Sequence, residues 1–187
     1  MSDTIKRTHF MRLKAEFNQN GIQQGHRLRE IPATPENVIN RVAQIPWGWI
    51  KKKIYDNEVL PHRIKNQKMR VFDLVDNGKT VGYALIIHPD KDIKNSFLQS
   101  VQNQRIVEIE NIALFPGEAG KGRGKSFLNL IQQTLFQEGY DAVYLNTSAT
   151  NHPTLPEFYR RCGMTDLGQA EVANFNNRVR KESAPAA

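Results

Sequence analysis

The stretch LFPGEAGKGRGKSFL, residues 114 to 128, sets glycines at 120, 122 and 124 in alternation with Lys121, Arg123 and Lys125. Glycine loses more conformational freedom on folding than any other residue, so three in alternation point to a backbone that must approach something closely. A helix-like run follows, which puts a row of N–H groups beside the positive end of a helix dipole. Such a nest, flanked by cations, is an anion site. Just upstream, Glu108 and Glu110 stand two apart in a strand-like run and so project from one face. Solvated or ion-paired carboxylates would have the same spacing.

Which anion the loop takes is open from the residues alone. Ala119 to Ser126 fits a relaxed Walker A pattern, with alanine at the usual first glycine, and the strand–loop–helix context suits it. That reading needs an apolar strand ending in a magnesium-holding carboxylate, and the nearest candidate, AVYLNT, ends in Asn146 and Thr147. The dinucleotide pattern G-x-G-x-x-G is not met, because the spacing is G-x-G-x-G. A flexible basic loop is the third reading. Elsewhere, Cys162 has no base beside it in sequence and reads as a structural thiol. The five histidines, His9, His26, His62, His88 and His152, show no metal-ligand spacing, so no metal is expected.

Several elements must position these groups. THFMRLKAEF reads as a basic helical stretch ending near Asn20-Gly21, and HRLREI as a short strand. Thr34-Pro35-Glu36 marks a helix start, with the helix running through Arg41 and Val42. A polar connection is expected to about Gln67. MRVFDLV and TVGYALII flank Asn77-Gly78, a strong hairpin signal. RIVEIENIALF is a strand ended by Pro116. In KSFLNLIQQTLFQE, Leu128, Ile131 and Leu135 share one face, and Gly139 stops the helix. AVYLNT is a strand, LPEFYRRC a short helix and AEVANFNNRVR a closing hairpin. This order implies a mixed α/β or α+β sheet protein.

The 187 residues suffice for one domain with a real core, and 39% hydrophobic with 24% charged residues describes a globular chain. No run approaches the roughly 20 apolar residues that cross a bilayer, so no membrane partner is expected. One cysteine and no evident signal peptide suggest the cytoplasm. The net charge of +7 is uneven: residues 1–70 carry 14 Lys/Arg against 6 Asp/Glu, and the remainder 12 against 13. The basic third is either a solubilising face or a surface for an acidic partner such as RNA or an acidic protein.

From Glu108 to Gly168 the sequence resembles the Gcn5-related N-acetyltransferases, which bind acetyl-coenzyme A. Ile112, Leu114 and Pro116 lead into Gly120, Gly122 and Gly124 at the family's spacing, with Ala119 where Arg or Gln is usual. NHPTLPEFYRRCGM matches the later motif through Tyr159, the Arg160-Arg161 pair and Gly163. Asn151 stands one residue further from Tyr159 than is typical, and Met164 replaces the common Phe. The resemblance implies a mostly antiparallel central sheet flanked by helices and splayed at its central strands. It implies a transferase domain over 26–180, after a basic extension at 1–25 and before a tail at 181–187. The diphosphate of the coenzyme is expected on Ala119, Gly120, Lys121, Gly122, Arg123, Gly124 and Lys125, with Asn151 a further contact. The pantetheine arm is expected beside Ile112 and Leu114, with the thioester oxygen near the Leu114 N–H. Glu108 falls at the position of the family's general base, with Glu110 or water as alternatives, and Tyr159 at that of the acid.

The acceptor implied is an amine on a protein N-terminus, a lysine, or RNA such as aminoacyl-tRNA. In this family it is framed by the first helices and the last hairpin, which here carry Trp47, Trp49 and Lys51–Lys53. A monomer or homodimer is expected. A non-catalytic module on the same fold, binding coenzyme A or an acidic partner, is the rival reading, and a P-loop nucleotide-binding protein a further one.

Overall fold

The structure, a computed structural model, describes residues 4–46, 59–89, 94, 97–101, 103–148 and 153–173. In chain order the elements are β1 (Thr4–Leu13), β2 (His26–Ile31), α1 (Pro35–Val42), α2 (Val59–Asn66), β3 (Arg70–Asp76), β4 (Lys79–Ile87), β5 (Ile106–Leu114), α3 (Arg123–Gln137), β6 (Ala142–Thr147), α4 (Leu155–Arg161) and β7 (Thr165–Ala173). The seven strands form one sheet in the order β2-β3-β4-β5-β6-β1-β7. Every neighbouring pair is antiparallel except β5 and β6. The fold is therefore the expected mixed α/β architecture, a mostly antiparallel sheet with helices on both faces.

Local chemistry sets most boundaries. The Thr34 hydroxyl accepts the Asn37 amide at 3.2 Å and Pro35 opens α1, so an orphan donor is capped where proline costs nothing. Asn77 and Gly78 both take positive φ, 47° and 88°, and close the β3–β4 hairpin with Asp76 opposite Lys79. On α3, Phe127, Leu128, Ile131 and Leu135 are buried against Val107, Ile109, Val143 and Leu145 of the central strands. Each such side chain contributes about 1.5–3 kcal/mol of transfer free energy. On the opposite face Val38, Val42 and Leu60 of α1 and α2 cover Val71, Tyr83, Leu85 and Ile87.

Two sequence expectations are corrected. THFMRLKAEF is not a helix: residues up to Leu13 form β1, an interior strand between β6 and β7, and only Lys14–Glu16 make a short 3-10 turn. Interior position explains the misreading, because Thr8, His9, Phe10 and Met11 are all buried and no polar–apolar alternation marks the strand. The segment read as a polar connection contains α2, with Pro61 in its first turn, where a missing N–H is tolerated.

Phe10 is fully buried and its ring lies 5.4 Å from that of Tyr159. Phe10→Ala should therefore lower unfolding free energy by about 3–5 kcal/mol in urea titration with an unchanged slope. A loss under about 1 kcal/mol would show β1 to be peripheral to the core.

Candidate active site

The defining geometry is where β5 and β6 part. Their parallel pairing spans only Ile106–Glu108 against Ala142–Tyr144, yet β5 continues to Leu114 and β6 to Thr147. Along its other edge β5 stays paired to β4 as far as Leu114, with a register shift that sets Leu85 opposite Asn111 and Ile86 opposite Ile109. This bulge makes Ile112 and Leu114 share the α3 face with Val107 and Ile109. The Phe115 amide donates to the Val81 carbonyl at 2.8 Å. By alternation the Leu114 and Ile112 amides point away from β4, into the opening between the strands.

The glycine loop lies beyond the end of β5. Gly120, Lys121 and Gly122 all have positive φ, 96°, 53° and 72°, a run that a non-glycine residue adopts only under constraint. Gly122 is the N-cap of α3 and supplies no side-chain cap, and the first turn holds no acidic residue. No side chain of the first turn offsets the positive end of its dipole. Ala119, Gly120, Lys121, Gly122 and Lys125 are exposed. Gly124 is helical, and a Cβ there would stand 3.4 Å from the Phe158 ring, in ordinary contact, so α4 packs close to the start of α3.

Arg123 does not face the open side of the loop. Its Nε and Nη2 donate to Asp76 Oδ2 at 2.9 and 2.7 Å, and its Nη1 to Glu118 Oε2 at 3.0 Å. It fastens the loop to the β3–β4 hairpin. Residues 19–26 brace the same region. Gln23 Nε2 donates to the Lys121 carbonyl at 2.7 Å, the Gln23 amide to Ser126 Oγ at 2.8 Å, and His26 Nδ1 lies 2.6 Å from that Oγ. His26 also stacks on Phe127 at 4.3 Å. Its pKa falls below the ordinary histidine value, chiefly through burial.

The two strand glutamates share the face opposite α3, as expected, but have different surroundings. Glu108 is 3% exposed, stands opposite Tyr144 at the last paired position, and accepts Asn146 Nδ2 at 3.2 Å. Glu110 lies 3.2 Å from Arg63 Nη1 of α2 in a buried ion pair. Tyr159 sits on the α3 face, packed between Phe10 and Phe158. Burial, with the Cys162 thiol beside it, raises its phenol pKa well above the ordinary value, so it holds its proton at neutral pH. Cys162 is itself buried, and burial pushes its thiol up. Arg12 of β1 donates to the carbonyls of Glu16 and Gly163 and ties β1 to the end of α4. Asn151, His152, Trp47, Trp49 and Lys51–Lys53 lie outside the described residues. Among the described residues no group of His, Cys, Asp or Glu could hold a metal ion, and no helix is long and apolar enough to cross a membrane.

A model of the acetyltransferase (GNAT) family matches residues 37–164. The chain belongs to the GNAT acetyltransferase family. Solved structures share the fold at low identity. A functionally unknown conserved protein from Staphylococcus epidermidis is 14% identical with a TM-score of 0.58, over 90% of this chain and 60% of that one. A GCN5-related N-acetyltransferase from Kribbella flavida is 11% identical with a TM-score of 0.54, over 90% of this chain and 58% of that one. An aminoglycoside acetyltransferase from an uncultured soil metagenomic sample, in complex with sisomicin, is 14% identical with a TM-score of 0.51, over 75% of this chain and 89% of that one. The chain thus spans about three fifths of the length of the first two. A search of the curated proteins finds no match.

Sequence reasoning missed Arg7, His9, Tyr144 and Asn146 around Glu108, and the Gln23–His26 brace on the loop. Arg7, His9 and Gln23 come from the segment read as a helix and an extension, whereas Tyr144, Asn146 and His26 sit on expected strands, and only the sheet order brings them to these sites. The hairpin–loop tie has a measurable pH signature. The hydrogen bonds from Arg123 hold the Asp76 carboxyl below the ordinary aspartate range. Its stabilisation is complete above about pH 4 and is lost as pH falls through the lower folded value. The melting temperature of Asp76→Asn should lie below wild type at about pH 7 to 8, where the neighbouring His26 is neutral, and the gap should close on acidification below about pH 4.

Proposed function

We propose that this protein transfers the acetyl group of acetyl-coenzyme A to a primary amine by direct attack, with Glu108 as base and Tyr159 as acid. The observation that carries the reading is the opening between β5 and β6, with free strand amides on one side and an uncapped helix start at its end. Ala119 to Gly122 and the first-turn amides of Gly124 and Lys125 would hold the diphosphate. Lys121 and Lys125 add positive charge there, while Arg123 acts through the loop it fastens. The Ile112 and Leu114 backbone would pair with the amides of the pantetheine arm as an added strand does.

Glu108 takes the proton that an ammonium acceptor must lose before its nitrogen can attack. It stands where the strands part, on the face opposite α3. The Leu114 N–H meets the thioester oxygen as negative charge builds. Tyr159 approaches from the α3 face and gives its proton to the sulfur as the carbon–sulfur bond breaks, and the second proton shed by the attacking nitrogen as it becomes the amide restores the phenol. Base and acid thus work on a group lying between the strands from opposite faces of the sheet. The acceptor is an amine on an acidic macromolecule, protein or tRNA, because the basic residues concentrate in the first third of the chain. One cysteine, buried and reduced, suits a cytoplasmic setting.

Acetyl-coenzyme A at about 100 times its Kd should stabilise the protein by about 2.7 kcal/mol in thermal melts, and magnesium-ATP should not. With a panel of a lysine-bearing peptide, a peptide with a free N-terminus, aminoacyl-tRNA and an aminoglycoside, one of the first three should be acetylated. Tyr159→Phe should lower kcat by about 100-fold at nearly constant KM. Wild-type kcat in that variant would remove Tyr159 as the acid.

A further inference from the structure

Around Glu108 the sheet assembles a buried hydrogen-bonded cluster from three strands. On β6, Asn146 Nδ2 lies 3.2 Å from Glu108 Oε1 and 3.2 Å from the Tyr144 hydroxyl. On β1, Arg7 Nη1 lies 2.9 Å from Asn146 Oδ1, and His9 Nδ1 lies 2.6 Å from the Tyr144 hydroxyl. His9 and Tyr144 are fully buried, and the His9 ring stacks on Phe97 at 3.6 Å. The register explains the meeting, since His9 stands opposite Asn146 and Met11 opposite Tyr144, just past the point where β6 leaves β5.

Chemistry fixes the orientation of the Asn146 amide. A guanidinium only donates, so the Asn146 oxygen must face Arg7 and its NH2 must face Glu108. The flipped amide would set N–H against N–H and oxygen against carboxylate. With both Asn146 protons directed at Glu108 and Tyr144, the Tyr144 hydroxyl accepts from Asn146 and also lies 2.6 Å from His9 Nδ1.

We infer that Asn146, held in one amide orientation by Arg7 and backed by Tyr144 and His9, is the positioning residue of Glu108. The inference rests on Glu108 being the base of the proposed reaction. An N–H aimed at one carboxylate oxygen favours the ionised form, ready to accept a proton, and fixes the plane of the carboxyl group. Among the described residues, the charged and titratable groups on this face are Arg7 and His9 of β1, Tyr144 of β6, Glu110 of β5 with Arg63 of α2, and Asp166 of β7 near His9. Through β1, the N-terminal strand reaches the reacting centre without touching substrate.

The test reads Glu108 directly. Protein labelled with 13C at the glutamate side-chain carboxyl is titrated by NMR, and the Glu108 signal is assigned by its loss in Glu108→Gln. In Asn146→Asp a second carboxylate replaces the donor, and Arg7 can still pair with it. The Glu108 midpoint should rise by about 1–3 pH units. Arg7→Met should raise it less, and Arg7→Lys should return it toward wild type. The thermal shift on adding acetyl-coenzyme A should persist in all three, which separates lost positioning from lost folding. A midpoint in Asn146→Asp within about 0.3 units of wild type would overturn the inference. Should Glu108→Gln acetylate the panel amines at the wild-type rate, the base assignment falls and the inference falls with it. Should Glu108→Gln be inactive while the midpoint stays put, only the positioning role falls.

Discussion

β6 is paired with β1 along all six residues from Ala142 to Thr147, but with β5 only as far as Tyr144. Each strand is held from its outer side, β6 by β1 and β5 by β4, while their inner edges part beyond Glu108 and Tyr144. The bulge opposite Leu85 and Ile86 turns the last residues of β5 further out of register. Strand amides left without a partner cost about 1–3 kcal/mol each if they are also kept from water. Such an edge persists because water, or an extended ligand with amides of its own, can satisfy it. Everything assigned to this protein in the way of chemistry gathers round that opening: the amides of Ile112 and Leu114, Glu108 at its apex, and Tyr159 on the far face. The opening in turn rests on a strand from the other end of the chain.

How much of this was legible in the sequence follows from how local each feature is. The α1 cap, the Asn77-Gly78 hairpin, the face of α3 and the glycine loop each depend on residues within a few positions, and each is found where the residues put it. β1 was hidden because both of its faces are buried, which removes the alternation that marks a half-buried strand. α2 was hidden because Arg63 and His62 dilute an apolar pattern carried mainly by Leu60 and Ile64. The cluster at Glu108 was out of reach for a different reason. His9 and Tyr144 are separated by 135 residues, Arg7 and Asn146 by 139, and only the sheet order brings them together.

The glycine loop shows how one sequence pattern gathers unlike physical demands. Gly120 and Gly122 serve backbone angles, with Lys121 between them drawn into the same left-handed run, whereas Gly124 is helical and lies within ordinary contact of Phe158. The interleaved cations divide in the same way. Arg123 is committed to Asp76 and Glu118, so it shapes the turn, and its charge is largely neutralised there. Lys121 and Lys125 remain on the exposed side. A count of basic residues in the motif therefore overstates the field an anion would meet, and the backbone dipoles carry more of it than the composition suggests.

The contrast between Glu108 and Glu110 bears on which of them can work as a base. Glu110 stands against Arg63, and both side chains are almost wholly removed from water. A proton accepted there would neutralise the carboxylate and leave a guanidinium buried beside a neutral acid, an arrangement that costs about 3–5 kcal/mol when a buried pair is broken. That penalty opposes base catalysis at Glu110 in proportion to how well the pair is made. The donor that Asn146 offers Glu108 is neutral, so this bond strands no charge when the carboxylate takes a proton. Two glutamates on one face of one strand thus differ in these two contacts. The ion pair at Glu110 anchors α2 to β5, and Glu108 stands where the strands part.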